Sequence, residues 1–218
     1  MVRYVSFSSN AFRANDALEL FLIVRLFAYF YRLGGKTSGK IFLTLANLSN
    51  LTVTFQDIKL LLISQFGEAI VLQENLSGMQ PNLRIPAERV AEVCLFLRDC
   101  DQTYFDYLSC LTALDNGPET GTMELFYNLY SIPYHLSLTL QVLISRNKEG
   151  EPLPEVPTVS EVWRTADWHE REAFDLMGIH FTGHPDLRRL LLPADWEGHP
   201  LRKDYQLQEY YHGIRVRY

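Results

Sequence analysis

The chain has 218 residues, with 20 Lys or Arg against 26 Asp or Glu, a net charge of −6 and 47% apolar residues. These proportions fit an ordinary soluble domain and exclude disordered or collagen-like chains, and the negative balance argues against a nucleic-acid binder. Three cysteines, Cys94, Cys100 and Cys110, form no CxxC pair, so neither a cysteine zinc site nor a disulfide framework is indicated, which suggests a reducing compartment.

Met1 to Thr52 differs from the rest of the chain. It holds six basic and two acidic residues, a balance of +4 that leaves −10 for the remainder. Such a sign change marks a boundary. Arg- and Ser-rich, acid-poor composition is that of a mitochondrial presequence. The alternatives are upstream sequence translated from a misplaced start, with the true start at Val53, or a genuine extra segment. The apolar stretch from Ala17 to Tyr31 contains Glu19 and Arg25 and falls short of the roughly 20 residues that span a bilayer. Gly34 and Gly35 follow Arg32 without a small-residue cleavage site, so no membrane span or signal peptide is predicted.

Thr54 followed by Asp57 predicts a helix start. Phe55, Ile58, Leu62 and Phe66 recur at helical spacing until Gly67. Glu68 to Leu76 reads as a strand. Pro86 opens a second helix with Val90, Val93, Cys94 and Leu97 on one stripe. Three strands come next, Tyr104 to Leu114, Met123 to Ser131 and His135 to Ile144. In the last, Leu136, Leu138, Leu140, Val142 and Ile144 alternate with His135, Ser137, Thr139 and Gln141. Asn116-Gly117-Pro118 turns the chain between the first two strands, and Ile132-Pro133-Tyr134 is short enough for an antiparallel hairpin between the second and third. This order predicts an α+β two-layer sandwich, a mixed or antiparallel sheet over residues 53–146 with helices on one face.

Asn147 to Thr158, with three prolines, reads as a linker. A short helical start at Ser160 to Trp163 comes next. Asp167 is then placed as the N-cap of a helix from Trp168 to Met177, with Glu170 closing a capping box and Gly178 ending it in the left-handed region. At 100° per residue, Arg171, Asp175, Trp168 and Glu172 share one side, and Glu170 lies among the apolar residues of the other. A carboxylate on an apolar arc needs a partner. It either folds back on its own capping box or receives an arginine from nearby chain or another protein.

From His180 to Tyr218 no regular period survives beyond the short run Leu187 to Leu192, and Pro185, Pro193, Pro200, Gly183, Gly198 and Gly213 interrupt the chain. Yet Phe181, Trp196, Tyr205, Tyr210, Tyr211 and Tyr218 make it too aromatic for a disordered tail. Ordering each residue costs about 1–2 kcal/mol of backbone entropy, which a segment without its own core cannot recover alone. The expectation is an extended arm laid on a partner, rich in the aromatics and arginines that dominate interfaces.

Catalytic and metal chemistry find little support. His180 and His184 are four apart, but Gly183 and Pro185 prevent the helix that would bring both rings to one face, and His169-Glu170-Arg171-Glu172-Ala173 lacks the second histidine of HExxH. Glu170, Glu172 and Asp175 sit beside arginines that favour salt bridges over a hydrolase pair. No GxSxG, P-loop, GxGxxG or catalytic Cys-His pair is present. The chain reads as non-catalytic by itself.

The run Trp168 to Leu191 resembles the C-type subunit family, the 30-kilodalton-type subunit of NADH-quinone oxidoreductase (respiratory complex I). The family pattern is carried here by Glu170, Arg171, Glu172, Asp175, Leu176, Met177, His184, Arg188, Leu190 and Leu191 without departure, and Pro200-Leu201-Arg202-Lys203-Asp204-Tyr205 resembles its closing motif. The likeness spans about Thr54 to Tyr205. It implies a cofactor-free domain in the peripheral arm, bound to the large D-type subunit of the quinone site, with FMN and iron–sulfur clusters on neighbouring subunits and electron transfer coupled to proton translocation. The absence of a cluster-type cysteine spacing agrees with this. It further implies a peripheral place at the cytoplasmic face of a bacterial inner membrane, or the matrix side in mitochondria. Glu170, Arg171, Arg188 and Arg189 are expected to set the arm's exit geometry through charge-assisted hydrogen bonds, with Glu172, Asp175, His184, Arg202, Asp204 and Tyr205 completing the signature. A related hydrogenase, formate hydrogenlyase or plastoquinone-reducing complex using the same module is the alternative.

Overall fold

Thr54 starts the first helix as its spacing predicts. In this computed structural model its hydroxyl accepts the N–H of Asp57, and the Asp57 carboxylate accepts the N–H of Thr54. Helix α1 (Phe55–Phe66) buries Ile58 and Leu62, and Gly67 ends it at φ 87°, a conformation that favours glycine. The structure describes residues 53–216 except 78, 79 and 149. The presequence, misplaced-start and apolar-stretch expectations for Met1 to Thr52 lie outside the described residues.

The expected strand from Glu68 to Leu76 is mostly not one. A 3-10 turn occupies Glu68–Ile70, and only β1 (Gln73–Asn75) is extended. It pairs with a strand that the sequence does not predict, β2 (Asn82–Ile85), whose four residues are too few to show a period against the preceding loop. A 3-10 turn at Ala87–Arg89 then leads into α2 (Val90–Asp99), which buries the predicted stripe Val90, Val93, Cys94 and Leu97.

Strands β3 (Tyr107–Asp115), β4 (Thr122–Ser131) and β5 (Leu136–Ser145) form an antiparallel meander. β3 begins later than predicted because Tyr104 takes a left-handed conformation, φ 37°, that strands do not tolerate. The sheet order is β1-β2-β5-β4-β3, and β2 runs parallel to β5, so the sheet is mixed. Cross-strand register puts Leu83, Leu140, Tyr127 and Leu111 in one row and Ile85, Val142, Leu125 and Ala113 in the next, all on one face. These rows, Ala113 at their edge, pack with Ile58, Leu62, Val93 and Leu97 of the helices into one buried core. The result is the predicted α+β two-layer sandwich.

The supposed linker Asn147 to Thr158 is instead structured at its end. β6 (Glu155–Pro157) pairs in parallel with β7 (His180–Thr182), bracketing the signature helix. That helix, α3, runs Arg164–Met177, and Ser160 to Val162 form a turn. Asp167 therefore lies inside the first turn and caps nothing, because Trp163 is the N-cap, its indole N–H donating to the Phe105 carbonyl at 2.9 Å. Burying that indole on the β3 approach fixes the helix start four residues earlier than the cap signal implied. Gly178 ends α3 at φ 69°, as predicted. No helix among the described residues is long and apolar enough to cross a membrane.

Candidate functional site

The last turn of a helix leaves carbonyls without intrahelical partners and carries the negative end of its dipole. In α3 the C-terminal segment supplies both the missing donors and the positive charge. Arg189 Nη1 and His199 Nδ1 donate to the Asp175 carbonyl at 3.3 and 2.9 Å, and the Leu201 N–H donates to Leu176 at 3.0 Å. Arg202 donates from Nε to Met177 at 2.8 Å, and from Nη2 to Gly178 at 3.0 Å and to Asn147 Oδ1 at 2.8 Å. His199 thus holds its proton on Nδ1. Burial and the neighbouring Arg202 and Arg189 charges depress its pKa despite the bond to Asp175.

The Asp175 side chain is fully buried on α3. Its Oδ2 accepts the N–H groups of Leu190, Leu191 and Leu192 at 3.0, 2.7 and 2.9 Å, and Oδ1 takes Arg189 Nη1 at 2.8 Å. Successive N–H groups aimed at one oxygen make an anion nest. Burial pushes the Asp175 pKa up, but the N–H of Leu192, Arg189 and the other two N–H groups outweigh it and hold it low. Arg189 also reaches the carbonyls of Trp196 and Gly198, folding the arm back on itself.

A second latch joins the sheet to the arm. Asp115, at the end of β3, accepts the N–H groups of Gly117 and Lys203 at 3.0 and 2.9 Å and Arg146 Nε at 3.1 Å. Arg146 is nearly buried and also pairs with Asp204. Burial raises the Asp115 pKa, yet the Lys203 and Gly117 N–H groups and the Arg146 charge lower it overall. Further out, Trp196 Nε1 donates to the Tyr205 hydroxyl at 3.0 Å.

The arm is thus ordered by its own domain as far as Tyr205, which corrects the expectation that a neighbouring protein must supply that surface. The physical reason is polar. Carbonyls, carboxylates and arginines replace the hydrophobic core that the segment lacks. Beyond it, a small hairpin, β8 (Tyr210–Tyr211) and β9 (Ile214–Arg215), is tied back through Asp195 to Tyr211 and His212, both at 2.7 Å. Leu191, Leu201, Leu207, Tyr210 and Ile214 remain exposed.

The signature residues do not act as one cluster. Asp175, Arg189 and Arg202 converge on the end of α3, while Asp204 lies at the Asp115 latch. Among the described residues no arginine pairs with Glu170, and it closes no capping box, which corrects the expectation of a fold-back on its own cap. Fully buried, it accepts the Thr158 hydroxyl at 2.5 Å and the Val159 N–H at 2.7 Å. Burial drives its pKa up to about 7 against those two bonds, with Asp167 adding to the rise. Arg171 Nε donates to the Arg188 carbonyl at 3.2 Å and lies 5.2 Å from the Trp168 ring. Glu172 is exposed, and so is Arg188, whose side chain among the described residues pairs with the local Asp186, 3.0 Å away. Among the described residues no group of His, Cys, Asp and Glu is arranged to hold a metal.

Asp115, Arg146, Asn147, Thr158 and His199 were not singled out by motif or periodicity. Asp115 alone carried a signal, preceding the Asn116-Gly117 turn whose N–H it accepts. Replacing Arg202 by methionine keeps the apolar stem and leaves two helix carbonyls unmet. The expected loss is about 1–3 kcal/mol of stability, read by urea unfolding.

The family described as "Respiratory-chain NADH dehydrogenase, 30 Kd subunit" matches residues 83–211. The C-type subunit of NADH-quinone oxidoreductase from Chloroherpeton thalassium is 47% identical over 156 residues, which cover 71% of this chain and 62% of that relative. The C-type subunit from Chlorobium phaeobacteroides is 40% identical over 154 residues, 71% of this chain and 90% of that one. The joined C/D-type subunit of NADH-quinone oxidoreductase from Pseudomonas aeruginosa is 39% identical over 158 residues, covering 69% of this chain and 26% of the relative. Among solved structures, a chain of the membrane-bound sulfane sulfur reductase, an archaeal respiratory membrane complex, superposes with TM-score 0.57 at 21% identity. It covers 70% of this chain and 85% of that one, and shares the fold.

Proposed function

Because the chain belongs to the 30 Kd subunit family of respiratory-chain NADH dehydrogenase, we propose that it serves as a non-catalytic C-type subunit of an NADH-quinone oxidoreductase, seated on the D-type subunit. The observation that carries this reading is the C/D relative, whose name joins both subunits in one chain. Proteins fused in one organism commonly touch when separate in another. The outward-facing Leu201, Leu207, Tyr210 and Ile214, with aromatic and arginine neighbours, offer the apolar surface such a contact needs.

On this reading flavin, iron–sulfur clusters and quinone belong to partner subunits, and this chain positions the D-type subunit while electrons pass from NADH to quinone with coupled proton translocation. Its place is peripheral, on the cytoplasmic face of a bacterial inner membrane or the matrix side in mitochondria. Identities of 40–47% to relatives named for quinone reduction support this over a hydrogenase or plastoquinone complex using the same module.

Affinity purification of the chain from its native membranes tests the proposal. Recovery of a D-type subunit supports it, and recovery without one overturns it. Arg188 sharpens the test, because its side chain is exposed and its ion-pair partner among the described residues is the local Asp186. Arg188→Ala is expected to lower the assembled complex several-fold while the isolated chain unfolds at the wild-type urea midpoint. Unchanged assembly would remove Arg188 from the contact.

A further inference from the structure

Where the chain leaves β7, a buried imidazole turns one ring nitrogen toward two carboxylates. The His184 side chain has no exposure, and its Nδ1 accepts the Asp186 N–H at 3.1 Å. That bond leaves Nδ1 bare and puts the single ring proton on Nε2. Nε2 faces the Asp167 carbonyl at 3.3 Å, Asp167 Oδ1 at 3.2 Å and Glu170 Oε2 at 3.9 Å. Asp167 Oδ1 is buried and accepts no hydrogen bond. Among the described residues no Lys or Arg pairs with either carboxylate.

Among the described residues, the other titratable groups that sense the Glu170 charge carry no positive charge. α2 contributes the Cys94 thiol and β4 the Tyr127 phenol. Burial, and then the charge of Glu170, push both pKa values up, so both stay neutral. The turn before α3 contributes Thr158, Ser160 and the Val159 N–H. Here the oxygens form a chain, with Thr158 Oγ1 at 2.5 Å from Glu170 Oε2, 2.8 Å from Ser160 Oγ and 3.1 Å from the Ser160 N–H.

That chain accommodates a neutral carboxylic acid completely. With a proton on Oε2, Glu170 donates to Thr158 Oγ1, whose own hydroxyl donates onward to Ser160 Oγ. Oε1 continues to accept the Val159 N–H, and no charge is left without a counter-ion. Without the proton, two carboxylates face one neutral imidazole across the junction of α3 and the arm.

We propose that Glu170 is a proton-binding site of the folded chain, and that its occupancy controls how firmly residues 183–192 are held on α3 through His184 and Asp167. The proton comes from and returns to water, and no other species is consumed. Loss of the proton leaves a buried carboxylate without a counter-ion beside Asp167, and that charge favours opening of the segment His184 anchors.

The test follows the Glu170 carboxyl carbon by NMR in the labelled full chain, with amide exchange of residues 183–192 measured at pH 6 and pH 8 and corrected for intrinsic rates. The expected midpoint is about 7. Protection of the segment should fall between the two pH values by at most about tenfold, the ratio that linkage gives when opening returns Glu170 fully to water. In Glu170→Gln, which keeps the shape and an acceptor for Val159, both changes should vanish. A wild-type midpoint below 5, or a pH dependence retained by Glu170→Gln, overturns the proposal. The wild-type titration stands even if the variant fails to fold.

Discussion

Asp175→Ala is expected to cost about 3–5 kcal/mol, the range for removing one partner of a buried charge pair. The carboxylate is fully buried and is the common acceptor for Arg189 and the three N–H groups of Leu190 to Leu192. Its removal leaves a guanidinium and three amides facing an apolar methyl. The arm should detach from residue 189 onward before the sandwich unfolds, because the core of α1, α2 and the sheet does not include it. Urea unfolding gives the energy and limited trypsin cleavage at Arg188 and Arg189 reports the detachment. A loss below about 1 kcal/mol would place the nest outside the arm's anchorage. Asp175→Asn keeps an oxygen for the amides but loses the charge that Arg189 needs, so an intermediate cost is expected.

The same carboxylates set the acid limit of the clasp. Asp175 and Asp115 have folded pKa values held below the ordinary one, so their stabilisation is complete above an ordinary value of about 4 and is lost as pH falls below it. Glu170 runs the other way. Its folded pKa is raised, so its contribution is complete below its ordinary value of 4.5 and is lost as pH rises through about 7. From these groups alone, stability peaks between the two ranges and declines on either side.

Gly178 is the second position where one substitution should have a large effect. It ends α3 at φ 69°, which costs an L-residue about 1–2 kcal/mol. A Cβ added there would also meet His199 Nε2 at 2.5 Å and Arg202 Nη2 at 2.8 Å. Both groups cap the helix carbonyls, so neither can withdraw without surrendering a hydrogen bond, and overpacking adds about 1–3 kcal/mol. Gly178→Ala should therefore destabilise the chain and loosen His199 and Arg202 together. Arg202→Met offers the control, since the Cβ has one fewer obstacle and the double variant should lose less than the two single losses combined.

Much of the sandwich was legible because its signals are local. The Thr54–Asp57 box, the stripe on α2 and the alternation of β5 each require neighbours only a few residues apart. β2 was invisible because four residues pairing in parallel with a strand far along the chain leave no local trace. The start of α3 was misplaced because Asp167 and Glu170 have the spacing of a capping box, while the decisive contact is the Trp163 indole on Phe105, 58 residues away. For the site, composition and motif marked Asp175, Arg189 and Arg202 as important without showing what they hold.

The sequence by itself determined the layer architecture, the family and the unusual character of Glu170, since periodicity, motif and a carboxylate on an apolar arc are properties of short stretches. Only the tertiary structure decided where the arm goes. Its anchors, Asp115 to Lys203 and Asn147 to Arg202, join residues 88 and 55 positions apart. Hydrogen bonds of such range depend on where the sheet and α3 have already placed their ends, and no local pattern encodes that.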